Sequence, residues 1–429
     1  MNATNLPACP PAINGAGRDF PISFNWRAGG DWLARIGLTP GNSDVDRATA
    51  AIVLQARLVA HLAPDAAISH SRRKAHYHDA RRYNGTAFTF STVPAAIDAL
   101  AYAGWLDVWK APPGNRSKGR QSTHKATAAL VEAVPIDLIT PRLSFDPGEL
   151  VRLKDGKGDA ARLVPYQDTA ATRDMRQELR RFNEALRCQT VRLDHPEARA
   201  DGPAMRCQGV AFMPQQTDCY RVFSRGSFNA GGRLYGPSVQ SLPKATRDAL
   251  TINGERTVEP DFKQLNPQVA YVAIGRPDMA DAIERSERNR PGDAYFLPDW
   301  PRDLAKRAFN ALVCAESERS AVQAIAAMPA CPGNTPAEKT EKAARLIRDL
   351  KRMHRPLADA GLFHSGVGLK LQRIDSDLTA DVLRRTLLEG VPVQPIHDGF
   401  RTPKRHAGTV LEAMEAARAA MKTRYAAGI

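Results

Sequence analysis

Two aspartates, Asp261 and Asp398, each close a short extended run at a point where the chain must turn. The later one lies in VPVQPIHDGFRTP (391–403), where an apolar run leads into His397 and Asp398 and then into Gly399 and Phe400. The earlier one ends the run TVEPD inside INGERTVEPDFKQLNPQVAYVAIG (252–275), after a Gly-containing turn and directly before a helical stretch. One Asp in a turn is ordinary, because its side chain bonds the local backbone and tolerates unusual dihedrals. If the two runs are neighbours in one sheet, however, the carboxylates converge. Paired Asp oxygens suit a hard divalent cation, Mg²⁺ before others. Two such ions hold an attacking 3′-hydroxyl and a leaving pyrophosphate in line.

The segment between them, PGDAYFLPDWPRDLAKRAFNALVCAESERSAVQAIAAM, predicts a long helix opening near Pro301, with Pro and Asp in its first turn. Arg302, Lys306, Asn310 and Cys314 recur every four residues and share a face. Two cations one turn apart can grip a triphosphate, and the uncharged positions beyond them leave room for a base and a sugar. Phosphoryl transfer needs that charge neutralisation more than it needs covalent chemistry. An amphipathic helix with a solvated basic face would show the same spacing. A Pro/Gly-rich break at PACPGNTPAEK (329–339) separates two long helices.

The formal charge of +14 and a pI near 9.7 favour polyanionic partners. Nucleic acid stands ahead of an anionic membrane, because no stretch approaches the ~20 apolar residues of a span. Cysteines at 9, 188, 207, 219, 314 and 331 form no CxxC pair and have no His at zinc-finger spacing, which argues against a disulfide framework or a structural zinc site. The first residues lack the basic and apolar regions of a secretory signal, so a cytoplasmic setting is expected.

A chain of 429 residues predicts two to three domains. Residues 1–40, rich in Pro, Gly and Asn, are expected to form a flexible arm. Residues 41–135 form a helical module: Ser43 to His61 carries an apolar stripe of Val45, Ala48, Ile52, Leu54 and Leu58. Ser91 is the expected N-cap of TVPAAIDALAYAGWL, whose Val93, Ile97, Leu100 and Ala101 share a face and which Gly104 should stop. A strand at 106–111, the loop PPGNRSKGR and a second strand from QSTHKATAAL complete the outline of a winged helix-turn-helix. Its loop residues Arg116, Lys118 and Arg120 are placed to lie along phosphates, with no acidic residue between Lys110 and Lys125. A solvated basic hairpin is the plain alternative. Residues 136–225 read as a connector whose basic helix, 172–186, is thumb-like.

Asp261 opening DFKQLNPQ, the Arg302-x3-Lys306 helix and His397-Asp398 at a strand turn resemble, in order and approximate spacing, the palm and fingers motifs of family A DNA polymerases and phage-type single-subunit RNA polymerases. GGRLYG (231–236) looks like the Arg-Gly-Arg-Val-Tyr element of the RNA polymerase branch, GDAYF (292–296) is similar to its Asp-x-Tyr element, and HDGFRT resembles its His-Asp-Ser-Phe-Gly-Thr. DSDLTADVL (375–383) looks like the helix before the last motif of the DNA polymerases. The match covers about residues 228–420, without a recognisable exonuclease carboxylate set, in a chain far shorter than either family's usual members.

The resemblance implies an α+β right-hand polymerase, with the palm at 226–429, inserted fingers at about 276–360 and a reduced thumb. It implies that Asp261, Asp398 and Phe262 hold two Mg²⁺ ions, or Mn²⁺ in their place. Arg302 and Lys306 would bind the triphosphate, His397 would support the primer terminus, Tyr295 and Asn310 would line the nucleotide site, and Arg233 and Tyr235 would touch nucleic acid. Two departures concern the sugar: Asn266 stands where the DNA enzymes carry Glu and the RNA enzymes Gly, and Cys314 where RNA polymerases carry Tyr. Asn is smaller than Glu and its amide can bond a 2′-hydroxyl, which favours ribonucleotides. The expected function is nucleotidyl transfer from nucleoside triphosphates to a 3′-hydroxyl on a DNA template, as RNA synthesis or priming by a monomer. The alternatives are a DNA polymerase or terminal transferase of a mobile element, a DNA-binding initiator on an inactive polymerase fold and, with least support, a two-metal nuclease.

Overall fold

The computed structural model describes residues 19–39, 41–78, 81–112, 121–425 and 427. It is a mixed α+β protein in which three hydrophobic cores are distinguished.

The N-terminal core forms around the helix Asp44–Leu62, opened by a capping box in which the Ser43 hydroxyl accepts from the Asp46 amide and the Asp46 carboxylate accepts from the Ser43 amide. Ala48, Ile52, Leu54 and Leu58 are buried as the stripe requires, whereas Val45 in the first turn is exposed. The helix Val93–Tyr102 packs against it, with Thr92 rather than Ser91 at its N-cap. Gly104 ends that region at a φ of 79°, a left-handed conformation that a side chain disfavours. Leu106–Trp109 then pairs antiparallel with Ser122–Ala126, which pairs antiparallel with Ile68–His70, and Phe20–Pro21 adds a parallel edge. The loop residues Arg116, Lys118 and Arg120 lie outside the described residues.

The expected arm needs correction. Its first 18 residues lie outside the described ones, but residues 19–39 are packed. Trp32, Leu33 and Ile36 of the 3-10 turn Trp32–Ile36 are buried in the N-terminal core. One five-residue turn is too short for hydrophobic periodicity to register.

The main core contains a sheet ordered Ser227–Tyr235, Tyr220–Ser224, Val151–Asp155, Arg162–Leu163. The boundary expected at 225/226 therefore falls at the tip of a β-hairpin and divides no core. The helix expected to be thumb-like, Ala170–Arg187, buries Leu179, Phe182 and Leu186 in this core. Composition marks linkers, whereas these segments are joined by strand pairing that composition does not record. The helix Gly368–Leu387 crosses Ser227–Tyr235 closely. A Cβ on Gly232 would stand 2.7 Å from the Phe223 ring and 2.9 Å from the Ser376 Oγ, so only glycine permits that approach.

A second, five-stranded sheet carries both aspartates, in the order Gln394–Ile396, Gly399–Pro403, Glu255–Val258, Leu250–Ile252, Val191–Leu193, all antiparallel. Phe400 belongs to the main core, while Leu250, Ile252 and Ile396 pack with Val210 and Phe212 in the third core. Facing this sheet's end, the helix Arg302–Cys314 buries Leu304, Ala305, Ala308, Phe309, Leu312 and Val313. Each large side chain among these stabilises the packing by about 1.5–3 kcal/mol. The helices Glu318–Ala326 and Pro336–Met353 follow on either side of the Pro/Gly-rich break. Among the described residues no helix is long and apolar enough to cross a membrane.

Candidate functional site

Strands Gln394–Ile396 and Gly399–Pro403 form a hairpin joined by His397 and Asp398 alone. His397 adopts a left-handed φ of 57°, a conformation His tolerates better than most residues. The second strand runs beside Glu255–Val258, with Thr402 opposite Val258, and the ladder resumes in register as a bridge between Gly399 and Asp261. Pro260 interrupts it without breaking it, because its carbonyl still accepts from the Phe400 amide at 2.9 Å. On its other side the neighbouring strand pairs no further than Arg256, so the missing N–H leaves no gap there. A Cβ on Gly399 would lie 3.5 Å from the Asp261 Oδ1, so the carboxylate packs over a residue with no side chain.

Asp261 and Asp398 are thus brought together from segments distant in sequence. Asp261 is open to solvent, yet the surrounding walls remove enough bulk water that its carboxyl is pushed up to about 6. Burial is the first cause and the charge of Asp398 the second, while Lys306 and the Phe262 amide oppose them.

Arg233 forms the next layer. Its Nε and Nη2 both donate to the Asp375 Oδ2, at 3.0 and 2.7 Å. Burial pulls the guanidinium pKa down, and Asp375 and then Asp398 raise it above its usual value. Asp375 is itself buried, with an Oδ1 that has no hydrogen-bond partner, and its carboxyl is raised by burial. Arg233 also acts on the thiol of Cys314 and on His397. Burial lowers the His397 pKa first, and Arg233 lowers it further. Tyr235 is half-buried two residues on, its ring centroid 6.5 Å from that of Tyr220.

The helix Arg302–Cys314 presents the face expected of it: Lys306 and Cys314 are exposed, and Arg302 and Asn310 are half-buried. Lys306 acts electrostatically on Asp261. The Asn266 Nδ2 donates to the Asn310 Oδ1 at 2.9 Å, tying the helix Leu265–Ala273 to this one beside the carboxylates.

Two expected nucleotide contacts are engaged elsewhere. Arg302 pairs with the fully buried Asp293 through Nε at 2.6 Å and Nη2 at 3.2 Å. Tyr295 is 1 % exposed, with the Phe309 ring 5.9 Å away and the Arg302 guanidinium 5.1 Å over its ring. Asp293 and Tyr295 thus brace the start of the helix from within the core.

Asp375 and Asp293 were not singled out as site residues by sequence reasoning. Both are partners of arginines that were, and an Asp that neutralises a site arginine lies at no fixed sequence distance from it.

Asp261 and Asp398 are the side chains that could hold a divalent cation here. Among the described residues no group of three or more His, Cys, Asp or Glu side chains is placed to hold a metal ion. Mg²⁺ usually takes one or two carboxylates and fills its remaining positions with water and substrate phosphates. Asp261 and Asp398 supply two carboxylates whose repulsion such an ion would relieve. No protein-family model matches this chain, and no characterised protein aligns significantly with it.

Proposed function

We propose that this protein is a nucleic-acid polymerase of the right-hand type, which transfers nucleoside monophosphates to a 3′-hydroxyl on a DNA template. The observation that carries the reading is the pairing of Asp261 and Asp398 at adjacent strand ends, with Lys306 within electrostatic reach. Divalent ions held by the two carboxylates, with Phe262 contributing its main chain, would supply charge neutralisation at the reacting phosphate. Lys306 and the Arg302 donors left over from Asp293 would bind the triphosphate. His397 and Arg233 would orient the strand terminus, and the Asn266–Asn310 pair would meet the sugar.

The N-terminal module supports a role in recruiting DNA. After the edge strand Phe20–Pro21 its order runs helix, strand, helices, strand, strand, and the last strand, Ser122–Ala126, lies between Ile68–His70 and Leu106–Trp109. This order supports a winged-helix reading, in which Arg116, Lys118 and Arg120, outside the described residues, would belong to the wing. Changing those three residues together is expected to weaken DNA binding and flatten its salt dependence.

The test is incorporation on a primed template with Mg²⁺, using ribo- and deoxyribonucleotides separately, with a template-free control. Template-dependent extension is expected, with ribonucleotides preferred. Extension without template would make it a terminal transferase, and no extension under any condition would sink the proposal. A second reading, a DNA-binding initiator on an inactive polymerase fold, is favoured by the diversion of Arg302 to Asp293. It predicts that Asp261→Ala and Asp398→Ala leave function in cells intact while charge reversal at 116–120 abolishes it.

Sugar choice gives a further expected result. Asn266→Glu places a larger, charged side chain beside Asn310 and should lower the ratio of ribonucleotide to deoxyribonucleotide use by about tenfold or more. Competition between the two nucleotides at equal concentration measures that ratio, and an unchanged ratio would remove Asn266 from the sugar site.

A further inference from the structure

Between Val258 and Asp261 the main chain ties the strands together only lightly. Val258 stands opposite Thr402 and Asp261 opposite Gly399, and that register sets Glu259 opposite Arg401 and Pro260 opposite Phe400. Pro260 has no N–H to return, so this step makes one main-chain bond, from the Phe400 amide to the Pro260 carbonyl.

Side chains hold the same step more firmly. Cross-strand partners share a face, and residues two apart along a strand return to it, which places Thr257, Glu259 and Asp261 on one side. Arg247 grips Glu259 as a fork, with Nε donating to Oε2 at 2.9 Å and Nη2 to Oε1 at 2.8 Å. Its Nη1 donates to the Leu242 carbonyl at 2.7 Å, which anchors the fork to the third core. Arg401, which is buried, donates through Nη1 to the Glu259 Oε2 at 3.2 Å and through Nε to the Thr257 hydroxyl at 2.7 Å. Its Nη1 and Nη2 also reach Asp248. Three segments thus meet at Glu259: the strand end that carries Asp261, the strand Gly399–Pro403 that follows Asp398, and the short helix Lys244–Arg247. A forked arginine–carboxylate pair fixes orientation as well as distance.

We propose that Glu259, clamped by Arg247 and Arg401, is a positioning residue that sets the placement of Asp261 against Asp398 and so the affinity of that pair for a divalent cation. The inference rests on reading the two carboxylates as a metal site, and it does not require nucleotidyl transfer. Mg²⁺ tolerates little departure from octahedral geometry, so a displaced carboxylate weakens its binding. Partners standing behind metal ligands commonly tune affinity by about 10- to 100-fold.

The experiment is Mn²⁺ binding by the full chain without nucleotide or nucleic acid, read from the electron paramagnetic resonance signal of the free ion well below the melting temperature. Mn²⁺ takes the same oxygen ligands as Mg²⁺. Glu259→Gln is expected to bind about tenfold more weakly. Loss of a nearby negative charge would also weaken binding, and Arg247→Gln separates the two causes. The Arg247 charge acts on Asp261, so its removal would tighten Mn²⁺ binding if charge alone mattered. Loss of the clamp should instead weaken binding by about tenfold. Should Glu259→Gln not fold, Arg247→Gln, which retains the bond between Arg401 and Glu259, carries the test. Leu250→Ala opens the third core under the neighbouring strand and should lower the melting temperature with Mn²⁺ affinity unchanged.

Arg247→Gln binding Mn²⁺ as tightly as the wild type, or more tightly, would overturn the proposal. So would wild-type affinity in Glu259→Gln, or an equal loss in Leu250→Ala, which would tie the affinity to general stability. No Mn²⁺ binding by the wild type would sink it together with the metal reading of Asp261 and Asp398. A wild type that binds Mn²⁺ but incorporates no nucleotide would sink the polymerase reading alone.

Discussion

Asp261→Asn is expected to lower metal-dependent nucleotide incorporation by about 10³-fold or more and, at pH 7 in chelator, to raise the melting temperature by a few degrees. The first effect is the loss of one of two carboxylates that would hold the catalytic ions, worth several kcal/mol of transition-state stabilisation. The second follows from the direction of the Asp261 shift. Its folded-state pKa is about 6, raised by burial and then by Asp398, against about 3.9 in an unfolded chain. The folded protein therefore holds the proton more tightly. The stability this provides is present below about pH 4 and lost as the pH rises through 6. At pH 7 the ionised side chain opposes folding, and Asn removes that penalty.

Melting curves at pH 4 and pH 7 separate the wild type from Asp261→Asn only at the higher pH if this account is right. Mg²⁺ should raise the wild-type melting temperature by mass action and leave the variant nearly unmoved. A variant that melts lower at pH 7 would show that Asp261 is a structural residue. One that melts higher but keeps full activity would remove it from catalysis.

Local signals anticipated much of this arrangement. Asp261 and Asp398 were legible because each stands where an extended run meets a turn, and Gly399 marks the close approach between them. The helix Arg302–Cys314 was legible because period-four spacing separates its apolar and polar faces. What the sequence withheld were pairings without a period. Arg233 meets Asp375 across 142 residues, and Arg221 meets Ser376 and Asp377 on the same helix. The hairpin that crosses the expected 225/226 boundary belongs to a sheet whose third strand begins at Val151.

Arg302→Ala and Lys306→Ala, one turn apart on the same face, should fail in different ways. Asp293 is fully buried and accepts from the amides of Asn289 and Tyr295 as well as from Arg302. Burial raises its carboxyl, and the Arg302 bonds followed by the two amides more than reverse that, leaving it below the usual carboxylate range. Removing the guanidinium leaves a buried carboxylate without its counter-ion, a loss of about 3–5 kcal/mol. Lys306 is exposed and makes no ion pair among the described residues, so its removal should change stability by no more than about 0.5 kcal/mol. Under the proposed function it should nonetheless raise the nucleotide KM by about tenfold or more, with oligonucleotide binding unchanged. Arg302 uses Nε and Nη2 on Asp293 and retains the Nη1 donors, so it can brace the helix and still reach a phosphate. Adding Asp293→Asn to an Arg302→Met protein removes the orphaned charge and should recover most of the stability. If nucleotide use returns with it, Arg302 is a brace alone and Lys306 carries the triphosphate. If stability returns and nucleotide use does not, Arg302 has both roles: it braces the helix through Asp293 and binds the triphosphate through its remaining donors.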